Sequence, residues 1–219
     1  MATNIKLCFL IDCTFSMEPW IEMAKTQIRN IVSKTQREHP NTVFNVGFVG
    51  YRDFGDDRRF EVRQFTTNIN QFLADIAYIH ADGGGDSAED VAGGLELVAG
   101  SDWGNADIRS IVHIADAPAH GYMMHERSVS DRYPKNDFGI LNYVQACINL
   151  GIDYTFIRID DSTDVMTNAF MAEYAKVSER TFILLDLMAQ GNAHEEVFTA
   201  EMTRYVSSAV SRHTSSQFE

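Results

Sequence analysis

Short strand-like runs alternate with segments of helical period along almost the whole chain, and that alternation constrains the fold more than any other feature. Ile5 to Ile11 is a nearly continuous apolar run, as a strand buried on both faces requires. Further strand-like runs cover Val43–Tyr51, Phe60–Phe65, Arg109–Ala115, Ile152–Ile159 and Thr181–Leu185. Helical spacing fills most of the gaps. It runs from Met17 to about His39 (Ile21, Ala24, Ile28, Ile31), around Phe72, Leu73, Ile76 and Ile79, and after a glycine-rich loop through Val91, Leu95 and Val98. Phe138–Leu150, Thr163–Lys176 and a closing amphipathic stretch from Glu195 to about Arg212 continue it. Strands joined by helices give a parallel, doubly wound α/β sheet. The close pair 43–51 and 60–65, the second alternating in and out, predicts one antiparallel edge strand.

With 219 residues, 45% hydrophobic and 22% charged, the chain fits one domain, 1–212, followed by a loose tail, 213–219. The net charge of −13 would repel a phosphate backbone, which sets nucleic acid aside as a partner. Three cysteines, Cys8, Cys13 and Cys147, are an odd number without paired spacing, so no disulfide framework is expected. The N-terminus has no basic region followed by an apolar signal segment, and no run is long enough to span a membrane. These features read as cytoplasmic, although a domain cut from a longer protein would carry its targeting signals elsewhere.

In a doubly wound sheet, ligands bind beyond the carboxyl ends of the strands, where the winding direction reverses. Acids recur at those ends here. Asp12 closes the first strand in LIDCTFSM, Asp53 follows the second, Asp86 and Glu89 lie where the glycine loop enters its helix, and Asp116 closes the strand IVHIA. Each has a local explanation. Ser16 can cap a helix starting at Met17, Asp86 and Glu89 are spaced as a capping box, and Gly83–Gly85 can serve unusual dihedrals or cradle a phosphate. None of these explains the recurrence. Carboxylates gathered without a counter-charge raise each other's pKa, and a divalent cation removes that cost. Carboxylate, hydroxyl and water oxygens suit Mg²⁺, Ca²⁺ or Mn²⁺ rather than zinc.

Asp12-x-Thr14-x-Ser16 resembles the Asp-x-Ser/Thr-x-Ser signature that opens the metal-ion-dependent adhesion site of von Willebrand factor type A domains. The resemblance implies a Rossmann-like, mostly parallel six-stranded sheet of order 3-2-1-4-5-6 with helices on both faces. It implies Mg²⁺ (or Ca²⁺ or Mn²⁺) held by Asp12, Thr14, Ser16, Glu89 and Asp116. Counted back from Leu95, Glu89 stands where that family usually has threonine. The segment Asp86-Ser87-Ala88-Glu89 is instead similar to the Asp-Ser-Pro-Glu loop of integrin β subunits. That similarity implies a second divalent cation at Asp53, Asp86, the Ala88 carbonyl and Glu89. Gly84 replaces an asparagine of that second site. The third integrin site is missing, since Pro19 and Trp20 stand where it needs adjacent aspartates. The DxTxSM start, the YRD, the GGGD-x-x-E loop and the DAPAHG turn together also resemble domains that accompany alpha-type protein kinases.

Three functions follow from these residues. The first is a binding module whose metal coordinates an Asp or Glu carboxylate of a protein partner, with no membrane insertion and no catalysis. The second is a regulatory or scaffold domain with a purely structural metal. The third is a metal-assisted phosphohydrolase. Haloacid-dehalogenase-type phosphatases begin with Asp-x-Asp, and Thr14 is a poor proton donor in place of the second acid. His113, His120 and His125 offer acid–base chemistry or zinc binding, but read more simply as one strand residue and two loop residues.

Overall fold

The computed structural model describes residues 2–187 together with Ala200 and Arg204. The expected closing helix, those two residues apart, and the tail lie outside the described residues. Six strands form one sheet: β1 (Thr3–Asp12), β2 (Thr42–Tyr51), β3 (Phe60–Thr66), β4 (Ile108–Ala115), β5 (Asp153–Arg158) and β6 (Phe182–Asp186). Their order is β3-β2-β1-β4-β5-β6. All neighbours are parallel except β2 and β3. Among the described residues, five α-helices flank the sheet: α1 (Glu18–Glu38), α2 (Ile69–Ile76), α3 (Val91–Ala99), α4 (Ile140–Asn149) and α5 (Asp164–Tyr174).

The two-residue period of β1 divides the core. Leu7, Phe9 and Ile11 pack with Ile21, Ile28 and Ile31 of α1 and with Phe72 and Ile76 of α2. Cys8 and Leu10 face the opposite layer, with Leu95, Val98, Val144, Cys147 and Phe170 from α3, α4 and α5. All three cysteines are free and buried. Among the described residues, no helix is long and apolar enough to cross a membrane.

Two local alternatives that the sequence allows at helix starts are not what the structure shows. Glu89 does not belong to a capping box, because α3 begins only at Val91 and its cap is Asp90, whose side chain accepts from Gly93 N at 2.9 Å. Asp90 also binds Arg59 Nε at 2.7 Å, so one buried carboxylate serves the helix end and an ion pair together. Ser16 caps nothing either. The chain enters α1 through a 3-10 turn, Phe15–Met17, whose cap position is Thr14 and lacks a side-chain capping bond.

Candidate metal centre

Register puts the first acids side by side. β1 and β4 are adjacent, with Ile11 opposite Ile114, so Asp12 and Asp116 leave neighbouring strands at the same edge. This is where the crossovers diverge, β1 leading outward to β2 and β4 to β5. A chain of short contacts then links the four residues. Asp12 Oδ1 accepts from Thr14 N at 2.9 Å and from Thr14 Oγ1 at 2.6 Å. Thr14 Oγ1 lies 3.4 Å from Ser16 Oγ, which donates to Asp116 Oδ1 at 3.1 Å. Asp12 and Thr14 are buried, Asp116 is half-buried and Ser16 is exposed, so the cluster opens to solvent on the Ser16 side.

Glu89 reaches the same cluster from the glycine loop. Its N–H donates to the Pro118 carbonyl at 2.9 Å, and it forms a parallel bridge with Ala119. That bridge ties its loop to the segment after Asp116. Gly84, at φ +86°, leaves room for both partners, since a Cβ there would lie 3.3 Å from Glu89 Oε1 and 3.3 Å from Thr14 Cβ. Asp56 fixes this loop, its Oδ2 accepting from Asp53 N at 3.0 Å and from Gly84 N at 2.9 Å.

The electrostatics are those of acids crowded without compensation. Burial, then the Asp116 charge, pushes Asp12 up to about 7. Burial, then Asp12, Asp53, Asp56 and Asp86, pushes Glu89 up to about 10. Burial also raises Asp116 and Asp86. Asp12 Oδ2, Glu89 Oε2, Asp53 Oδ2 and Asp86 Oδ1 are buried with no hydrogen-bond partner. Orphaned buried oxygens of this kind are costly. Hard oxygens with open coordination sites are also what a Mg²⁺- or Ca²⁺-class ion takes, so the residues fit such an ion.

Asp53, Asp86 and Glu89 lie close enough to perturb one another's ionisation, and Ala88 beside Glu89 is fully buried. The sequence did not show what surrounds them. His120 Nε2 lies 2.7 Å from Asp53 Oδ1 and its Nδ1 lies 2.8 Å from Asp131 Oδ1. Asp131 Oδ2 also contacts His125 Nε2 at 2.9 Å. Burial works against a charged His120, but the two carboxylates outweigh it and raise its pKa. Burial works against Asp53 likewise, yet His120 and the Phe54 N–H hold it below the usual range. Asp131 was absent from the sequence reading. His120-x4-His125-x5-Asp131 was the available signal, set in a long loop without periodicity. His113 is a strand residue, as expected, and lies far from solvent within the sheet.

Residues 6–137 match the profile of the von Willebrand factor A domain. The alpha-protein kinase vwkA of Dictyostelium discoideum is 31% identical over 201 residues, covering 89% of this chain and 32% of that protein. The chain therefore spans about a third of the length of this curated relative. The VWA domain of SpRpn10 superposes with a TM-score of 0.55 at 12% identity, covering 83% of this chain and 86% of that one. The pilus adhesin SpaC from Lactobacillus rhamnosus GG, in its open conformation, superposes with a TM-score of 0.62 at 11% identity, covering 93% of this chain and 30% of that one. At such identities the superpositions speak for the fold alone.

Proposed function

The chain belongs to the von Willebrand factor A domain family, and we propose that it is a protein-binding module whose divalent cation coordinates a partner's carboxylate. The observation that carries this reading is the linked chain Asp12–Thr14–Ser16–Asp116, with the orphaned Asp12 Oδ2 and Glu89 Oε2 beside it and an exposed side at Ser16. Asp12, Thr14, Ser16, Glu89 and Asp116 would hold Mg²⁺, Ca²⁺ or Mn²⁺. The ion would supply a positive charge with a coordination position left for an incoming oxygen. Asp12 and Thr14 are locked to each other, so they act as the fixed floor. Ser16 and Asp116 stand at the open side, where a partner would approach.

Glu89 sets the character of this centre. A glutamate adds a negative charge where the family's usual threonine is neutral, which favours retention of the cation and weakens its pull on an acidic partner. Binding rather than catalysis is the reading because Thr14 occupies the place where the phosphatase alternative needs a second acid.

Selection from a random peptide display library tests the proposal. Peptides captured in Mg²⁺ and released by EDTA are expected to share an Asp or Glu that cannot be replaced by Asn or Gln. Peptides whose binding survives both EDTA and removal of the acid would favour a purely structural metal instead.

A further inference from the structure

We infer that His120, Asp53 and Asp86 form a second cation site of a different chemical class, one that takes a transition metal such as Zn²⁺ rather than Ca²⁺. The inference stands on geometry that adjoins the first centre and brings in two residues outside it, His120 and Asp131. Asp86, His120 and Asp131 each offer an atom within 4.8 Å of the others. Two ligand atoms bound at ~2.1 Å at tetrahedral angles around an ion would themselves stand ~3.4 Å apart. Asp53 Oδ1 adds a fourth group, 2.7 Å from His120 Nε2.

The imidazole is wedged between two carboxylates, Asp53 on Nε2 and Asp131 on Nδ1. A neutral ring carries only one N–H. One of the two short contacts would then set a bare nitrogen lone pair against a carboxylate oxygen. A cation between them resolves this, either a second proton on the ring or a metal ion in its place.

Hydrogen-bond saturation decides which carboxylates face the ion. Asp131 is already occupied: it accepts from Gly121 N at 2.8 Å and Tyr133 N at 2.6 Å, and it contacts both His125 Nε2 and His120 Nδ1. It orients the ring through Nδ1–H, the outer-shell part that a carboxylate commonly plays behind a metal-bound histidine. Asp53 and Asp86 each keep a buried oxygen that no N–H or hydroxyl group reaches, and the two carboxyl groups face each other at hydrogen-bonding range. Their side chains are 1% and 4% exposed. The cation nearest the free oxygen of Asp86 is Arg132 Nε, 3.6 Å away on a side chain that is itself 54% exposed. One imidazole nitrogen with two carboxylates suits Zn²⁺ and its first-row neighbours, whereas Ca²⁺ and Mg²⁺ favour all-oxygen cages. His120 thus changes the metal preference that the similarity to integrin β subunits implies for this position.

Calorimetric titration of metal-stripped protein tests the site. The protein is first saturated with Mg²⁺ and then titrated with Zn²⁺. The expected result is one Zn²⁺ per chain that excess Ca²⁺ does not displace, lost in His120→Gln and weakened about 10–100-fold in Asp131→Asn. X-ray absorption at the zinc edge gives a reading on the unmutated protein, with one imidazole in the shell expected. Absence of Zn²⁺ binding overturns the inference. So does an all-oxygen shell, or an unchanged Zn²⁺ affinity in folded His120→Gln. The Mg²⁺ heat is read in the same experiment, so its absence with Zn²⁺ binding intact counts against the first centre alone.

Discussion

Saturating Mg²⁺ is expected to raise the melting temperature of the unmutated protein by about 5–10 °C and to leave that of Asp12→Asn almost unchanged. An ion that binds only the folded state at about a hundred times its Kd adds about 2.7 kcal/mol, and a chain of this size gains roughly 2–4 °C per kcal/mol. Asparagine preserves the acceptor that Thr14 uses at 2.6 and 2.9 Å, so the loop keeps its shape. It removes the carboxylate that burial and Asp116 disfavour. Without metal, Asp12→Asn is therefore expected to melt at or above the unmutated protein. A melt series in Mg²⁺, Ca²⁺ and EDTA reads both effects. Equal metal shifts in the two proteins would remove Asp12 from the centre.

The second large effect belongs to His113 and to acid. His113 lies in β4 with Tyr51 Oη 2.8 Å from Nε2 and Tyr154 Oη 2.7 Å from Nδ1. One hydroxyl donates to the ring and the other accepts from it, which satisfies a neutral imidazole. Burial lowers its pKa from 6.5 to about 3. The unfolded chain then binds the proton more readily throughout that interval. The stability due to neutral His113 is complete above pH 6.5 and is lost as pH falls toward 3, by up to about 1.4 kcal/mol per pH unit. Urea unfolding across pH 4–7, in constant Mg²⁺, should show this slope in the unmutated protein. His113→Gln, less stable at pH 7, should have a flatter profile. Parallel profiles would show that His113 does not govern the acid response.

The legible parts of this molecule were those written in consecutive residues. Ile5–Ile11 reads as a buried strand because neighbours on both sides cover it, and the abrupt Asp12 marks where it leaves the core. Asp116 after IVHIA repeats the pattern one strand away. The same alternation points to a doubly wound sheet, and the strand order comes only from the family resemblance. The spacing of Asp86 and Glu89 allowed a capping box as the local alternative, and the neighbouring Asp90 makes the capping bond instead. Glu89 is held outside the helix by its tie to Pro118, a contact with no trace in its own segment. Asp131 was invisible for the same kind of reason. Its contacts with His120 and His125 lie within a long irregular loop, and only the folded chain shows that His120 bridges it to Asp53, 67 residues away from His120 in sequence. Apolar periodicity reports burial, and buried polar networks of this kind leave no period to read.

A metal centre built from Asp12, Thr14, Ser16, Glu89 and Asp116 is the claim on which the proposed binding function depends. Anomalous diffraction from crystals grown with Mn²⁺ tests it most directly. A manganese peak is expected among the Asp12, Ser16 and Asp116 oxygens, bonded to them directly or through one water, with Glu89 alongside. Manganese bound elsewhere in the crystal with no peak beside Asp12 would contradict it.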